Sequence, residues 1–304
     1  MNRLTIFCVA AALCGQACST QDPKSAEQYF RDANDYYRNG GYDLAIEQYR
    51  ELLDRHPFSD HTEEAELRIA HAHFLAADYT AAIVALTDFQ RRHPTSDQLP
   101  LVGYLLGMSY VRQMGSADRD QTAAQSAHTY FATLLHQYPH SPFADLGREE
   151  LAACRESLAE HELGIARFYE NRGNDDAAEV RLLSLSSKFG ETQTAALALL
   201  RLTRQYVREG NSDHAVLAAR AVEALHPDSA EARQARSLVA AADAAAVPPT
   251  TDPLDLLMIA NGRVREDTAF GVPKAPTASE RSGRPRFGGA NMPRADPLGG
   301  GAPF

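Results

Sequence analysis

"GGYDLAIEQYRELLDRHPFSD" (residues 40–60) opens on a glycine pair and ends on a loop that begins with His-Pro. Between them Ala45, Tyr49 and Leu52 follow the three- and four-residue spacing that puts side chains on one face of a helix. Pro57 cannot extend that helix, because its ring removes a backbone donor and clashes with the preceding turn.

The spacing recurs when the chain is aligned on its prolines. Ahead of Pro57 stand Ala33, Tyr36, Ala45, Tyr49 and Leu52; ahead of Pro94, Ala70, His73, Ala82, Leu86 and Phe89. Ahead of Pro139 stand Gly107, Tyr110, Ala127, Phe131 and Leu134, split by the polar insert "GSADRDQ". Gly190 takes the proline's place behind Ala166, Tyr169, Ala178, Leu182 and Leu185, and Pro227 follows Tyr206, Ala215, Ala219 and Val222. A small residue at position 8, an aromatic at 11, Ala at 20, a large apolar residue at 24 and Pro at 32 form the tetratricopeptide pattern. Small residues at 8 and 20 let paired helices approach, and the aromatics fill the wedge beside the crossing. Gly-containing turns ("RNGGYD", "NRGND", "REGNSD") close the first helix of a pair. Asp60 with Glu63 reads as a capping box opening the second repeat.

The pattern predicts an all-α tetratricopeptide-repeat superhelix of about five helical hairpins plus a capping helix. The domain spans 25–246, with repeats at about 26–59, 63–96, 100–141, 142–192 and 194–229 and a cap at 229–246. One hairpin cannot bury its own apolar face, so stability comes from stacking. The run from Ser141 to Gly173 has no internal breaker and reads as an overlong helix, a rigid spacer between two halves.

The ends differ from the middle. Residues 1–17 carry Arg3 and an apolar run from Leu4 to Leu13, too short to span a bilayer, which reads as a signal peptide. Cys18 sits where a bacterial lipoprotein is acylated, although Gly15 stands where the usual signal has Leu; simple cleavage nearby is the alternative. Ser19, rather than Asp, after that cysteine points to the outer membrane. Residues 18–24 then form a lipid-anchored linker. Cys154 lies in a helical run and reads as a small core residue. Residues 247–304, rich in Pro and Gly, read as a disordered tail, in which "DPLDLLMIANGRV" is either a short docking motif or an unpartnered helical turn.

The chain shows no catalytic pattern and is expected to be neither an enzyme nor a holder of cofactor or metal, apart from the lipid on Cys18. His71 and His73 are two apart on a helix and face different ways, and Pro139 separates His136 from His140. The acidic runs "HTEEAE" and "GREEL" read as solvated helix faces and first-turn dipole partners. The net charge of −10 without a basic block excludes a nucleic-acid footprint.

Binding remains. The first helix of each repeat also presents positions 5, 9 and 12. Phe30, Asn34 and Tyr37 with Arg38, then Leu67, His71 and Phe74, form a candidate aromatic groove for an extended peptide or a C-terminal aromatic. Packing between repeats is the competing role for those rings. Leu163, Arg167 and Glu170, then Leu200, Arg204 and Val207 with Arg208, form a charged face suited to a folded polar partner.

The segments "DRDQTAAQSAHTYFATLLHQYPHSPFADLGREEL", "LAEHELGIARFYENRG" and "YRNGGYDLAIEQYRELLDRHPFS" resemble the BamD family, lipoproteins of the outer-membrane β-barrel assembly (BAM) machinery. The likeness covers about residues 24–227. It implies a scaffold on the periplasmic face of the outer membrane that meets unfolded outer-membrane proteins through the first repeats. It also implies docking of BamA and other lipoproteins of the machinery through the later ones. Arg181 matches a family arginine that pairs with BamA. A coordinator associated with Tol-Pal, or an adaptor for cell-wall enzymes, is the alternative; no heptad run precedes Ser25, as the former would need.

Overall fold

A computed structural model describes residues 24–240 and 252–260; among them there are helices and no strands. The signal peptide, Cys18, the linker up to residue 23 and the tail outside 252–260 lie outside the described residues. The chain forms two compact units, the first ending at Ala76 and the second beginning at Ala77.

The first unit holds α1 (Ala26–Arg38), α2 (Tyr42–Arg55) and α3 (Thr62–Leu75). Ser25 starts α1 with a reciprocal capping box: its hydroxyl accepts from Gln28 N, and the Gln28 side chain accepts from Ser25 N. Ala33, Ala45, Tyr49, Leu52, Ala65, Ile69 and Ala72 make one buried cluster. Two expectations need correction. Asp60 does not cap α3: His61 holds that place without a side-chain cap bond, and Ser59 Oγ accepts from His61 N at 3.2 Å. Tyr36 fills no wedge but is 42% exposed, lying over the turn at Gly41.

The second unit holds α4 (Tyr79–Arg92), α5 (Leu99–Val111), α6 (Thr122–Gln137), α7 (Pro142–Glu170), α8 (Asp175–Lys188), α9 (Gln193–Glu209), α10 (Ser212–Leu225), α11 (Ala230–Val239) and α12 (Pro253–Ala260). Consecutive helices from α4 to α11 pack as neighbours. Their starts carry side-chain caps where the sequence offers Asp78, Ser141, Asn174, Thr192, Asn211 and Ser229. Ala82, Ala127, Ala166 and Ala178 are fully buried. At Gly107 an added Cβ would sit 2.5 Å from the Phe131 ring, so the small residue on α5 makes room for the large one on α6. Gly190 departs from proline for a local reason: a Cβ there would meet the Ser186 carbonyl at 2.9 Å.

The hairpin turns show how a single position is met four times. Gly40, Gly173 and Gly210 have φ of 75°, 69° and 75°, each just before the residue that caps the next helix. Ala77 occupies the same place before Asp78 with φ 59°. A Cβ in the left-handed region costs about 1–2 kcal/mol, and glycine's extra freedom when unfolded offsets about half of that. Ala77→Gly is therefore expected to stabilise the protein by about 0.5–1 kcal/mol, read as a raised urea midpoint.

Helix α7 is no spacer. Its 29 residues are packed along their length inside one unit, with Ala144, Gly147 and Leu151 buried early and Ala159, Leu163 and Ala166 buried late. Buried Arg155 binds the Glu191 carboxylate through two nitrogens, donates to the Lys188 carbonyl at 2.6 Å and lies over Phe189. Burial works against the Glu191 charge, yet its hydrogen bond to Arg155 holds the carboxyl below the usual range. Glu156 accepts from Gln193 N, Thr194 N and Thr194 Oγ1, placing a negative charge at the start of α9. The polar insert is tied down as well: the Ala117 carbonyl accepts from His161 Nδ1 at 2.6 Å. Cys154 is buried, and burial pushes its thiol up to about 12.

The tail assignment fails for its apolar island, where Pro253–Ala260 is helix α12. Leu254 and Leu257, three apart, are buried in the core cluster of α7–α11, and Met258 packs against it. Eight residues are too few for an independent helix, so packing holds it. Leu257→Asp should release α12 without unfolding the repeats. Limited proteolysis is expected to cut the variant within 253–260 while α8 and α10 stay intact.

Candidate functional site

Of the seven residues that the sequence offers as a peptide groove, the structure joins five. Phe30 on α1 stacks on His61 at 4.3 Å between centroids and 8° between planes. Tyr49 from α2 stands behind, 6.0 Å from Phe30, and its hydroxyl donates to Asn34 Oδ1 at 2.6 Å. One helical turn on, the Tyr37 hydroxyl meets His71 Nδ1 of α3 at 2.7 Å, and Phe74 follows His71 at 6.3 Å. Tyr42 meets Tyr37 edge-on, and the Arg68 guanidinium lies over the Tyr37 ring at 5.2 Å. The result is a column of rings between α1 and α3, with Phe30, Asn34, Tyr37, Leu67, His71 and Phe74 all half-buried. Phe30 and Tyr37 pack against the core of the first unit, so packing is part of their role. Arg38 stays at the edge, exposed and paired with Asp35.

Four members have no groove position in the repeat pattern: Tyr42 opens α2 and meets Tyr37 only across the hairpin. His61 stands just before a helix, where no face can be assigned by periodicity. Tyr49 reads as plain core until its hydroxyl finds Asn34. Arg68 acts by lying across a ring of another helix. Each depends on a contact between different elements.

Burial pushes the His71 ring down to about 4, with Arg68 adding repulsion, and pushes the Tyr37 hydroxyl up to about 12. Neutral His71 accepts from Tyr37; the protonated ring has no lone pair to accept with. The unfolded ring titrates near 6.5. Between about 6.5 and 4 the unfolded chain therefore holds the proton and the folded chain does not, so stability falls as pH falls. The loss from pH 7 to pH 5 is expected to be about 2 kcal/mol by this linkage. It is measured by urea unfolding at the two pH values, and His71→Gln, which cannot titrate there, should flatten the dependence.

The arginine face is less open than the sequence suggests. Leu163 and Leu200 are core residues at 3% and 2% exposure, because the neighbouring helices close over them. Arg181 on α8 pairs with Glu162 on α7 at 3.3 Å, an inter-helix contact at half-exposed side chains. Arg204 donates to Gln234 at 2.8 Å, and Arg208 lies 3.5 Å from Asp175. Arg167 is exposed on α7. Such solvated pairs contribute about 0–1 kcal/mol each, so an incoming carboxylate can replace the partner at little cost. Among the described residues no group of His, Cys, Asp and Glu is arranged to hold a metal.

The family model of the outer membrane lipoprotein YfiO matches residues 22–220. The chain belongs to this family. It is 28% identical over 231 residues to the outer membrane protein assembly factor BamD of Pasteurella multocida, covering 73% of this chain and 88% of that protein. The BamD of Vibrio cholerae is 27% identical, with 61% and 81% covered, and that of Caulobacter vibrioides 25% identical, with 68% and 70% covered. These are the names of a lipoprotein and an assembly factor rather than of an enzyme, in keeping with the lack of a catalytic pattern. Residues 22–220 take in both the ring column and the arginines of α7–α9.

Proposed function

We propose that this chain is a non-enzymatic scaffold of outer-membrane protein assembly, held at the periplasmic face of the outer membrane by an acyl group on Cys18. The ring column of the first unit takes an extended segment of an unfolded outer-membrane protein. The arginines of α7–α9, Arg181 first among them, dock the periplasmic domains of BamA, beside the other lipoproteins of the machinery. The observation that carries the reading is the column itself: rings half-open to water between α1 and α3, with Asn34 and Arg38 beside them. Half-open rings give sequence-tolerant apolar contact, and the Asn34 amide and Arg38 guanidinium can donate to a peptide's carbonyls or terminal carboxylate. The names of the relatives, assembly factors of the same envelope, support the same role.

The test is capture from detergent-solubilised envelope with the tagged, full-length protein. Recovery of BamA is expected, reduced several-fold by Arg181→Glu. Recovery of Tol-Pal proteins or cell-wall enzymes without BamA would point to the other repeat adaptors instead.

A further inference from the structure

Phe58 is 98% exposed, more than any other large apolar residue among those described. It does not sit on a loose tip. Ser59 N donates to the His56 carbonyl at 3.0 Å, Thr62 N to the Ser59 carbonyl at 3.0 Å, and Thr62 Oγ1 to the Pro57 carbonyl at 3.3 Å. The loop is also pinned to the start of α1, where His56 Nε2 meets the Lys24 carbonyl at 3.0 Å. A fixed loop that presents a full phenyl ring to water loses the benefit of burying it unless something covers the ring.

The covalent chain says what lies close. Lys24 is six residues from Cys18, and six extended residues reach at most about 20 Å. An acyl group on Cys18 therefore keeps the Lys24 end of the first unit within about 20 Å of a lipid surface, and Phe58 is on the loop hydrogen-bonded to that end. We infer that Phe58 is a membrane-interface contact: its ring enters the boundary between headgroups and acyl chains beside the anchor and orients the first unit on the bilayer. The inference rests on the acylation of Cys18 proposed above. Lys24 and Arg55, exposed at the same end and paired with Asp32 and Glu51 in solvated contacts that cost little to exchange, turn to headgroup phosphates, while Asp54 and Asp60 beside the loop disfavour a strongly anionic surface. The lipid is accordingly zwitterionic.

The chain contains no tryptophan, so Phe58→Trp creates a single reporter. The mature chain is anchored through Cys18 to a maleimide lipid in phosphatidylcholine vesicles; Cys154, buried with its thiol pushed up to about 12, does not compete. Phe168→Trp on α7, half-exposed, is the control. The expected result is blue-shifted emission at position 58, quenched by brominated phosphatidylcholine, with neither effect at 168. Unshifted emission at 58 on the anchored protein overturns the inference alone. A blue shift without bromolipid quenching also overturns it, by showing protein rather than lipid against the ring. Absence of an acyl group on Cys18 in protein extracted from cells, read by mass spectrometry, removes the anchor and this inference with it.

Discussion

Ala178→Trp is expected to lower the melting temperature by about 2–12 °C, while Val180→Trp on the same helix leaves it nearly unchanged. Ala178 has no exposed surface, whereas Val180 is 42% exposed. Ala178 shares the α7–α8 pair with the fully buried Ala166, Leu182 and Leu185, and protein interiors are packed to a density that leaves no room for an indole in place of a methyl. Forcing extra atoms into such a contact displaces side chains or separates the backbones, at about 1–3 kcal/mol or more. In a unit of this size each kcal/mol moves the midpoint by about 2–4 °C. Equal effects at both positions would mean that propensity, rather than the crossing, determines the loss. An unchanged midpoint for Ala178→Trp would refute the repeat register.

The second large effect concerns location. Cys18→Ser is expected to move the protein from the membrane pellet to the soluble periplasmic fraction. Among the described residues no helix is long and apolar enough to cross a membrane. The apolar run of residues 4–13 is too short to do so and is read as the part removed on export. With the thiol gone there is no site for the acyl group, and a single exposed ring such as Phe58 cannot hold the exported chain on a bilayer. Fractionation is done in cells depleted of BamA, so that docking to a membrane partner does not imitate an anchor. Full retention of the variant in the membrane there would show a second anchor.

What could be read in the sequence follows from which contacts are local. Alanine and glycine at fixed distances from a proline specify close helix crossings, and Ala33, Ala45, Ala82, Ala166 and Ala178 are buried as that spacing requires. Caps and hairpin glycines are equally local, and Ser25, Asn174 and Asn211 act as their residue types suggest. Periodicity fails where burial depends on the next repeat. Leu163 and Leu200 have the register of an open face and are core, while Tyr36 has the register of a wedge and is exposed. It also fails for α12, whose composition resembles the tail around it but whose two leucines find a surface on the second unit. Half of the ring column was legible as residue types on one helix face. His61, Tyr42, Tyr49 and Arg68 enter it only through contacts between elements.

The scaffold reading makes one demand above the rest: two surfaces on one chain, each meeting its own class of protein. Photo-cross-linking in living cells tests this most directly, with the photoreactive residue at Leu67 beside the ring column and, separately, at Arg181 on α8. The account predicts that position 67 captures newly exported outer-membrane proteins and position 181 captures BamA. The same partner at both positions, or no outer-membrane protein at either, would contradict it.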